Sequence, residues 1–388
     1  MWWDDLKKHL STIDWFLVIT VIAAMTYGFV LVKSATNVGN IKPSLDLNQS
    51  KTLTVFIAAS VMGIAGAFII SKFDYNHVIK YTKTLYVFSV VLLVATLLVG
   101  HGDAEVGSKS WIQIPVIKIN VQPAEIVKVL FILTFSKHLD SVKDNIDRPK
   151  NIILLVLHFL VIFGLVVLQG DLGTALVFIF IFLAMCFAAG VSLWYFLAGL
   201  FIIVASSPLL WNFMSESQQL RILTGFDPTI DPKGAGYQAL QSMWAIGSGN
   251  LFGAGYQKGY MTQNGLVPKQ WTDFIFSAAG EEFGFLGALL VLVLLTLIIA
   301  RIFYISRSAR NTTGSLICVG VMSIFIAQTM ENIGMCIGSL PVIGIPLPFF
   351  SYGGSSIIGS LFGIGVVLSV NSRKNIYYFT RDENLDNF

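Results

Sequence analysis

Residues 151–213 read NIILLVLHFLVIFGLVVLQGDLGTALVFIFIFLAMCFAAGVSLWYFLAGLFIIVASSPLLWNF, with one acidic residue, Asp171, and no lysine or arginine. A helix of about 17–25 apolar residues crosses the roughly 30 Å of hydrocarbon in a bilayer. Lipid offers no partner for a free backbone group, so such a run is expected to be helical. Its length fits two long spans or three shorter ones. Gly170, Gly173 and Gly190, with Ser192, mark breaks that divide it into three, at 151–168, 172–190 and 192–213.

The same pattern continues outward in both directions. Apolar blocks at 15–33, 51–71, 82–100 and 121–139 precede the run, and blocks at 276–300, 314–338 and 354–370 follow it. The 388 residues are 55% hydrophobic and 12% charged, with a mean hydropathy of +0.74. A soluble domain carries about 25% charged residues. The blocks do not alternate as the strands of a membrane barrel would. The expected fold is an all-α integral membrane protein with about ten transmembrane helices, a single polytopic domain over residues 1–388.

Lysine and arginine set the orientation. With the N-terminus inside, fifteen of the 25 fall in inner segments and nine in outer ones, with Lys128 inside a span. Four of the outer nine, Arg221, Lys233, Lys258 and Lys269, share one long loop, which the rule discounts. Both termini are therefore expected in the cytoplasm, and 214–275 is a large extracellular loop between spans seven and eight. The first apolar block is long for a signal peptide, and Asp4 and Asp5 dilute its positive start, so it reads as a retained span. The net charge of +3 is accounted for by the inner loops and does not imply nucleic acid. Cys186, Cys318 and Cys336 lie in apolar blocks without metal spacing and read as small core residues.

The long outer loop is neutral and rich in glycine and aromatics, as in GAGYQALQSMWAIGSGNLFGAGYQKGY. Its plainest reading is flexible connectors; phosphate-cradling turns are the sharper alternative, weak because no strand precedes them. YQALQSMWAIG has near-helical apolar spacing and is expected to form an amphipathic helix on the membrane surface. LPVIGIPLPFFSYGGSS (340–356) carries Pro341, Pro346 and Pro348, so it is not a continuous helix. Irregular backbone at membrane depth must be buried in protein or line a wet cavity.

Ionisable residues inside spans are the next signal. Glu125 and Lys128 share a helix face, either as a local ion pair or as a substrate contact. Glu331 is a similar case in the ninth span. His158 reads as a hydrogen-bonded structural residue. Asp273 ends the long loop in QWTDFIF, and Glu281 and Glu282 follow in GEEFGFLG. All three suit a helix N-terminus, and an aspartate also serves as a general base when set against a substrate hydroxyl.

Taken together, the motifs resemble the SEDS family (shape, elongation, division and sporulation). YGFVLVKSAT (27–36), KSWIQIP followed by QPAEIVKV, QGDLGTALV (169–177), GAGYQALQSMWAIGSGNLFGAGYQKG (234–259), TDFIFSAAGEEFGFLG (272–287) and LPVIGIPLPFFSYGGSS occur in family order over nearly the whole chain. The resemblance implies a peptidoglycan glycosyltransferase. It would polymerise lipid II at the outer face of the cytoplasmic membrane, release undecaprenyl diphosphate and work with a class B penicillin-binding protein. It implies that Asp273 is catalytic. It implies substrate contacts at Trp111, Gln122, Glu125 and Lys128, and extends them through the matching motifs to Gln169, Asp171, Gln241, Tyr352 and Ser355. The chain departs from the family pattern at Gly170, Ala124 and Trp271, where proline, serine and histidine are usual.

The reaction needs a base for an acceptor hydroxyl and positive charge for a departing diphosphate. Asp273 is the expected base. Lys128, Lys109, Lys118 and Lys269 are candidates for the diphosphate, and the faces of Trp111 and Tyr352 suit sugar or lipid. A divalent cation, magnesium or manganese, is a further expectation, held by Glu281 and Glu282 or by Glu125. The short tails favour an elongation-type member over a division or sporulation paralogue. A lipid flippase or transporter, and a non-catalytic scaffold, are the rival readings.

Overall fold

The computed structural model describes residues 10–38, 48–102, 108–114 and 119–374. The helices are α1 (Trp15–Ala35), α2 (Gln49–Lys72), α3 (Thr82–Val99), α4 (Pro123–Val142), α5 (Pro149–Leu168), α6 (Leu172–Ala188), α7 (Leu193–Phe213), α8 (Glu216–Phe226), α9 (Tyr237–Ser248), α10 (Ile275–Arg307), α11 (Thr312–Cys336) and α12 (Gly354–Asn371). Two short antiparallel strands, β1 (Ile112–Ile114) and β2 (Ile119–Val121), lead into α4. Each of the ten expected blocks falls on a helix. The 151–213 run is indeed three helices, with Gly170 and Gly190 at positive φ in the two breaks.

Among the described residues, seven helices are long and apolar enough to cross a membrane. Two of the other three expected spans fall short for visible reasons. Helix α4 carries Glu125, Lys128, Lys137 and Asp140, and α6 has 17 residues, whereas α7 runs on for 21 residues with Pro208 inside it. Helices α11 and α12 are the most deeply buried of the seven. Helix α12 packs on α2, and α11 packs on α10, α6 and α4. Leu193, Trp194, Phe201 and Ile202 on α7, with Val87, Val91 and Leu98 on α3, stay exposed. An apolar surface of this kind is a lipid-facing belt.

At the end of the bundle opposite residues 214–274, ion pairs join distant segments. Arg301 grips Asp14 through Nη2 at 2.8 Å and Nε at 2.9 and 3.0 Å, while Asp14 caps α1 by accepting from the Leu17 N–H. Arg373 ties the end of α12 to Asp74 at 3.3 Å and to the Lys72 carbonyl at 2.9 Å.

Helix α10 has 33 residues, about 50 Å of helix, and breaks at Gly284 (φ 67°, ψ −162°). A side chain is strained there. The break frees backbone groups, and the glycine-rich loop takes them up. Ala254 and Gly255 donate to the carbonyls of Glu281 and Glu282, and Phe285 and Leu286 donate to those of Asn250 and Leu251. These four bonds pin the loop to α10, so the expected flexible connectors are an ordered structure. Helix α9 forms where an amphipathic helix was expected. It buries Ala239, Leu240 and Ala245, packs on α10 and α11, and leaves Trp244 exposed. Ser242 donates to the Cys336 carbonyl at 2.8 Å. Its apolar face thus meets protein, a neighbour that sequence spacing alone does not distinguish from lipid.

Candidate active site

Three helix N-termini converge on Gln122. Its backbone N–H donates to Ser355 Oγ at 3.0 Å at the start of α12. Its side-chain amide donates to Asp171 Oδ2 at 2.6 Å and Thr174 Oγ1 at 3.3 Å at the start of α6. Asp171 caps α6 by accepting from the Thr174 N–H. An N-terminus leaves backbone N–H groups unpaired and carries partial positive charge; at α6 the Asp171 carboxylate already meets that charge, while the N-termini of α4 and α12 have no side-chain cap. Gln169 lies below it, 1% exposed, donating to the Leu93 carbonyl. Its own carbonyl accepts from the Lys109 N–H at 2.8 Å, which holds the loop before β1 against the α5–α6 corner. Gln169 therefore positions a loop. Lys109 is exposed and Trp111 is half-buried, bridged through its backbone to His101. Lys118 lies outside the described residues.

Asp273 is held from behind by its backbone. Asn332 on α11 donates to the Asp273 carbonyl at 2.7 Å and to the Ile345 carbonyl at 2.7 Å, joining α11, the TDF segment and the proline-rich loop in one residue. Ser351 donates to the Thr272 carbonyl at 2.5 Å and accepts from the Leu347 N–H at 2.8 Å. The Tyr352 N–H donates to the Trp271 carbonyl. Residues 340–353 are irregular, as their prolines require. The Asp273 carboxylate faces Gly344, where an added methyl carbon would stand 3.3 Å from Oδ2. Burial raises the Asp273 carboxyl above the usual carboxylate range, against the lowering by Lys269 and a Thr272 hydrogen bond. Lys269 itself is exposed and its carbonyl accepts from the N–H groups of Thr272, Asp273 and Phe274. Tyr352 and Gln241 are half-buried.

Glu125 and Lys128 form a 2.8 Å ion pair, 4% and 2% exposed, one turn inside α4. Val321, Phe325 and Ser360 line a gap beside it that is too tight for a water molecule. Glu125 Oε1 is the one hydrogen-bond partner of the Lys128 ammonium among the described residues.

Glu281 and Glu282 do not fit the expected divalent cation. Glu281 accepts from the N–H groups of Met261 and Thr262 at 2.7 and 2.8 Å and from Thr262 Oγ1. Glu282 accepts from Ser34 Oγ at 2.5 Å, Gln263 Nε2 at 2.8 Å and the Gln257 N–H at 3.2 Å. A cation needs oxygen lone pairs directed at it, and these point into hydrogen-bond donors. Both side chains are 1% exposed. They tie the long loop to α10 and α1, which is a structural use that residue type alone did not reveal.

The family model for the FtsW, RodA and SpoVE proteins, described as cell cycle protein, matches residues 14–376. The chain belongs to this family. It is 32% identical to the peptidoglycan glycosyltransferase MrdB of Escherichia coli K12 over 96% of each chain. It is 34% identical to the stage V sporulation protein E of Bacillus subtilis, over 92% of this chain and 96% of that one. Among solved structures, a peptidoglycan synthase complex described for coordinating polymerization and crosslinking superposes with a TM-score of 0.78. The identity is 30%, over 94% of this chain and 99% of the other. The rod-shape-determining protein RodA of Thermus thermophilus superposes with a TM-score of 0.68 at 29% identity, over 92% and 96%. The chain is a multi-pass, nearly all-helical membrane protein of this fold.

Asn332, Ser351 and Ser34 are the site-building residues that the sequence reading missed. Each stands among other polar residues, Asn332 after Glu331, Ser34 after Lys33 and Ser351 before Tyr352, so residue type alone does not single it out. Replacing Asn332 by alanine removes both of its donors and leaves the buried carbonyls of Asp273 and Ile345 without this partner. A net hydrogen bond is worth about 1 kcal/mol and an unsatisfied buried group about 1–3. Asn332→Ala is therefore expected to lower stability by about 2 kcal/mol. Activity is expected to fall about tenfold in the variant that remains folded, read from a melting curve and a polymerisation rate on the same preparation.

Proposed function

We propose that the chain is a peptidoglycan glycosyltransferase. It polymerises lipid II into glycan strands at the outer face of the cytoplasmic membrane, as a RodA-type protein serving cell elongation. The observation that carries the reading is the mounting of Asp273. Its backbone is fixed by Asn332, its segment is locked to the proline-rich loop by Ser351 and Tyr352, and its carboxylate faces Gly344. A rigid mounting with the carboxylate turned to a loop suits a base that must meet an incoming hydroxyl in one geometry.

Asp273 accepts the proton of the acceptor sugar hydroxyl as that oxygen attacks the anomeric carbon of the donor. The bond from that carbon to the diphosphate oxygen breaks, and undecaprenyl diphosphate leaves with the bonding electrons. Lys128 and the N-termini of α4 and α12 supply positive charge for it, with Lys109 and Lys269 on the exposed rim. Trp111 and Tyr352 offer faces for sugar or lipid packing. Glu125 holds Lys128, and Gln122, Asp171 and Ser355 set the helix starts. No step is routed through a metal. A class B penicillin-binding protein is the partner that would cross-link the strands, in keeping with the synthase complex that the fold matches.

The test uses purified full-length protein in liposomes with fluorescent lipid II. Glycan polymer is the expected product. Lipid II that crosses the bilayer without forming polymer would instead make the chain a transporter. Depleting the protein in cells is expected to give rounding; filaments would place it in division.

A further inference from the structure

Glu331 is 8% exposed and has no hydrogen bond or ion pair with any described residue. One turn earlier on α11, Gln328 is 1% exposed, and its side-chain oxygen is buried without a partner. The Gln328 oxygen is fully enclosed, and Glu331 is nearly so, in a helix that is otherwise tightly packed. Unsatisfied buried acceptors are costly, and intramembrane carboxylates as a rule face a partner or a wet cavity.

Helix geometry says where they point. Gly320 on α11 sits against Ile132 of α4 and Met185 of α6. Eleven residues on, Glu331 returns to within about 20° of the same direction and roughly 16 Å nearer the end that carries the long loop. Counting the same rise back along the antiparallel α4 and α6 reaches their first turns, beside Gln122, Asp171 and Thr174. The loop that roofs this corner also roofs Asp273. Ile343 and Ile345 lie on Gly173 at the start of α6, while Gly344 between them faces the Asp273 carboxylate. The residue after Glu331, Asn332, holds the Asp273 carbonyl.

We propose that Glu331 and Gln328 form a sugar-binding subsite that takes the hydroxyl and acetamido N–H donors of a lipid II saccharide beside Asp273. The inference rests on the polymerase reading above. The Glu331 carboxylate and the Gln328 carbonyl select a ligand that presents hydroxyl and N–H donors, so this subsite takes the sugar portion of the substrate. Among the described residues the carboxylate has no partner, and bound substrate supplies one.

The test compares wild type with Glu331→Leu and Glu331→Gln in full-length protein, reading KM, kcat and melting temperature. Glu331→Leu is expected to raise KM for lipid II about ten- to a hundredfold with kcat changed less than threefold, and to melt no lower than wild type. Glu331→Gln keeps an acceptor and is expected to stay within about fivefold in KM. An unchanged KM in Glu331→Leu, or a fall in melting temperature with KM intact, would make Glu331 a structural residue and overturn the proposal. Lipid II with its stem-peptide amine acetylated separates sugar from peptide. The KM defect is expected to persist with it, and its disappearance would assign Glu331 to the amine and overturn the sugar assignment. Wild type that is heat-stabilised by lipid II and makes no polymer would sink the polymerase reading alone.

Discussion

Asp273→Asn is expected to lose about 10²–10⁴-fold in polymerisation rate, the usual contribution of a positioned base. Asparagine has nearly the same shape and keeps the backbone carbonyl on which Asn332 acts. The loss would then belong to proton transfer and not to the loop. Melting separates the two further. Burial raises the Asp273 carboxyl in the folded protein. A group whose folded pKa lies above its unfolded value contributes stability fully below the unfolded pKa and loses it as pH rises through the folded one. At neutral pH the ionised side chain therefore carries a cost that asparagine lacks. Asp273→Asn should melt at or above the wild-type temperature at pH 7 while making almost no polymer. The wild-type kcat/KM should fall on its acid limb at a pH above the ordinary aspartate value of about 3.9. Polymer of normal length at the normal rate from Asp273→Asn would remove the residue from the chemistry.

How much of this was readable in advance differs by layer. The apolar blocks located the ten helices because bilayer thickness imposes one length on them and glycines mark the joins. The 151–213 run resolved into α5, α6 and α7 at Gly170 and Gly190 as expected. Irregular structure at 340–353 followed from its prolines. His158 proved to be a hydrogen-bonded structural residue, 3.0 Å from His138 and 3.3 Å from Thr134. The carboxylates of Glu281 and Glu282 were the failure. Two adjacent acids near a proposed site read equally as cation ligands or as acceptors for a loop, and the choice depends on Met261, Thr262, Gln263 and Ser34. Those residues are distant in sequence and ordinary in type. The helix after GAGY failed in the same way, since apolar spacing reports a buried face and not what buries it.

The fourth-span ion pair offers the sharpest separation of stability from function. Glu125 and Lys128 are almost fully enclosed at 2.8 Å. Removing one partner from a buried pair leaves an uncompensated charge and costs about 3–5 kcal/mol. Lys128→Met is therefore expected to accumulate poorly in membranes and to melt far below wild type. Removing both charges cancels that penalty, so Glu125→Gln with Lys128→Met should recover most of the lost stability. Activity is expected not to return with it. An ammonium has three donors, and Glu125 takes one. Ser360, beside the pair, lies on the helix whose N-terminus meets those of α4 and α6. A diphosphate oxygen is the kind of acceptor that completes such an ammonium. A double variant that melts like wild type and polymerises at a few percent of its rate assigns Lys128 to the leaving group. One that melts and polymerises like wild type would leave the pair as packing alone.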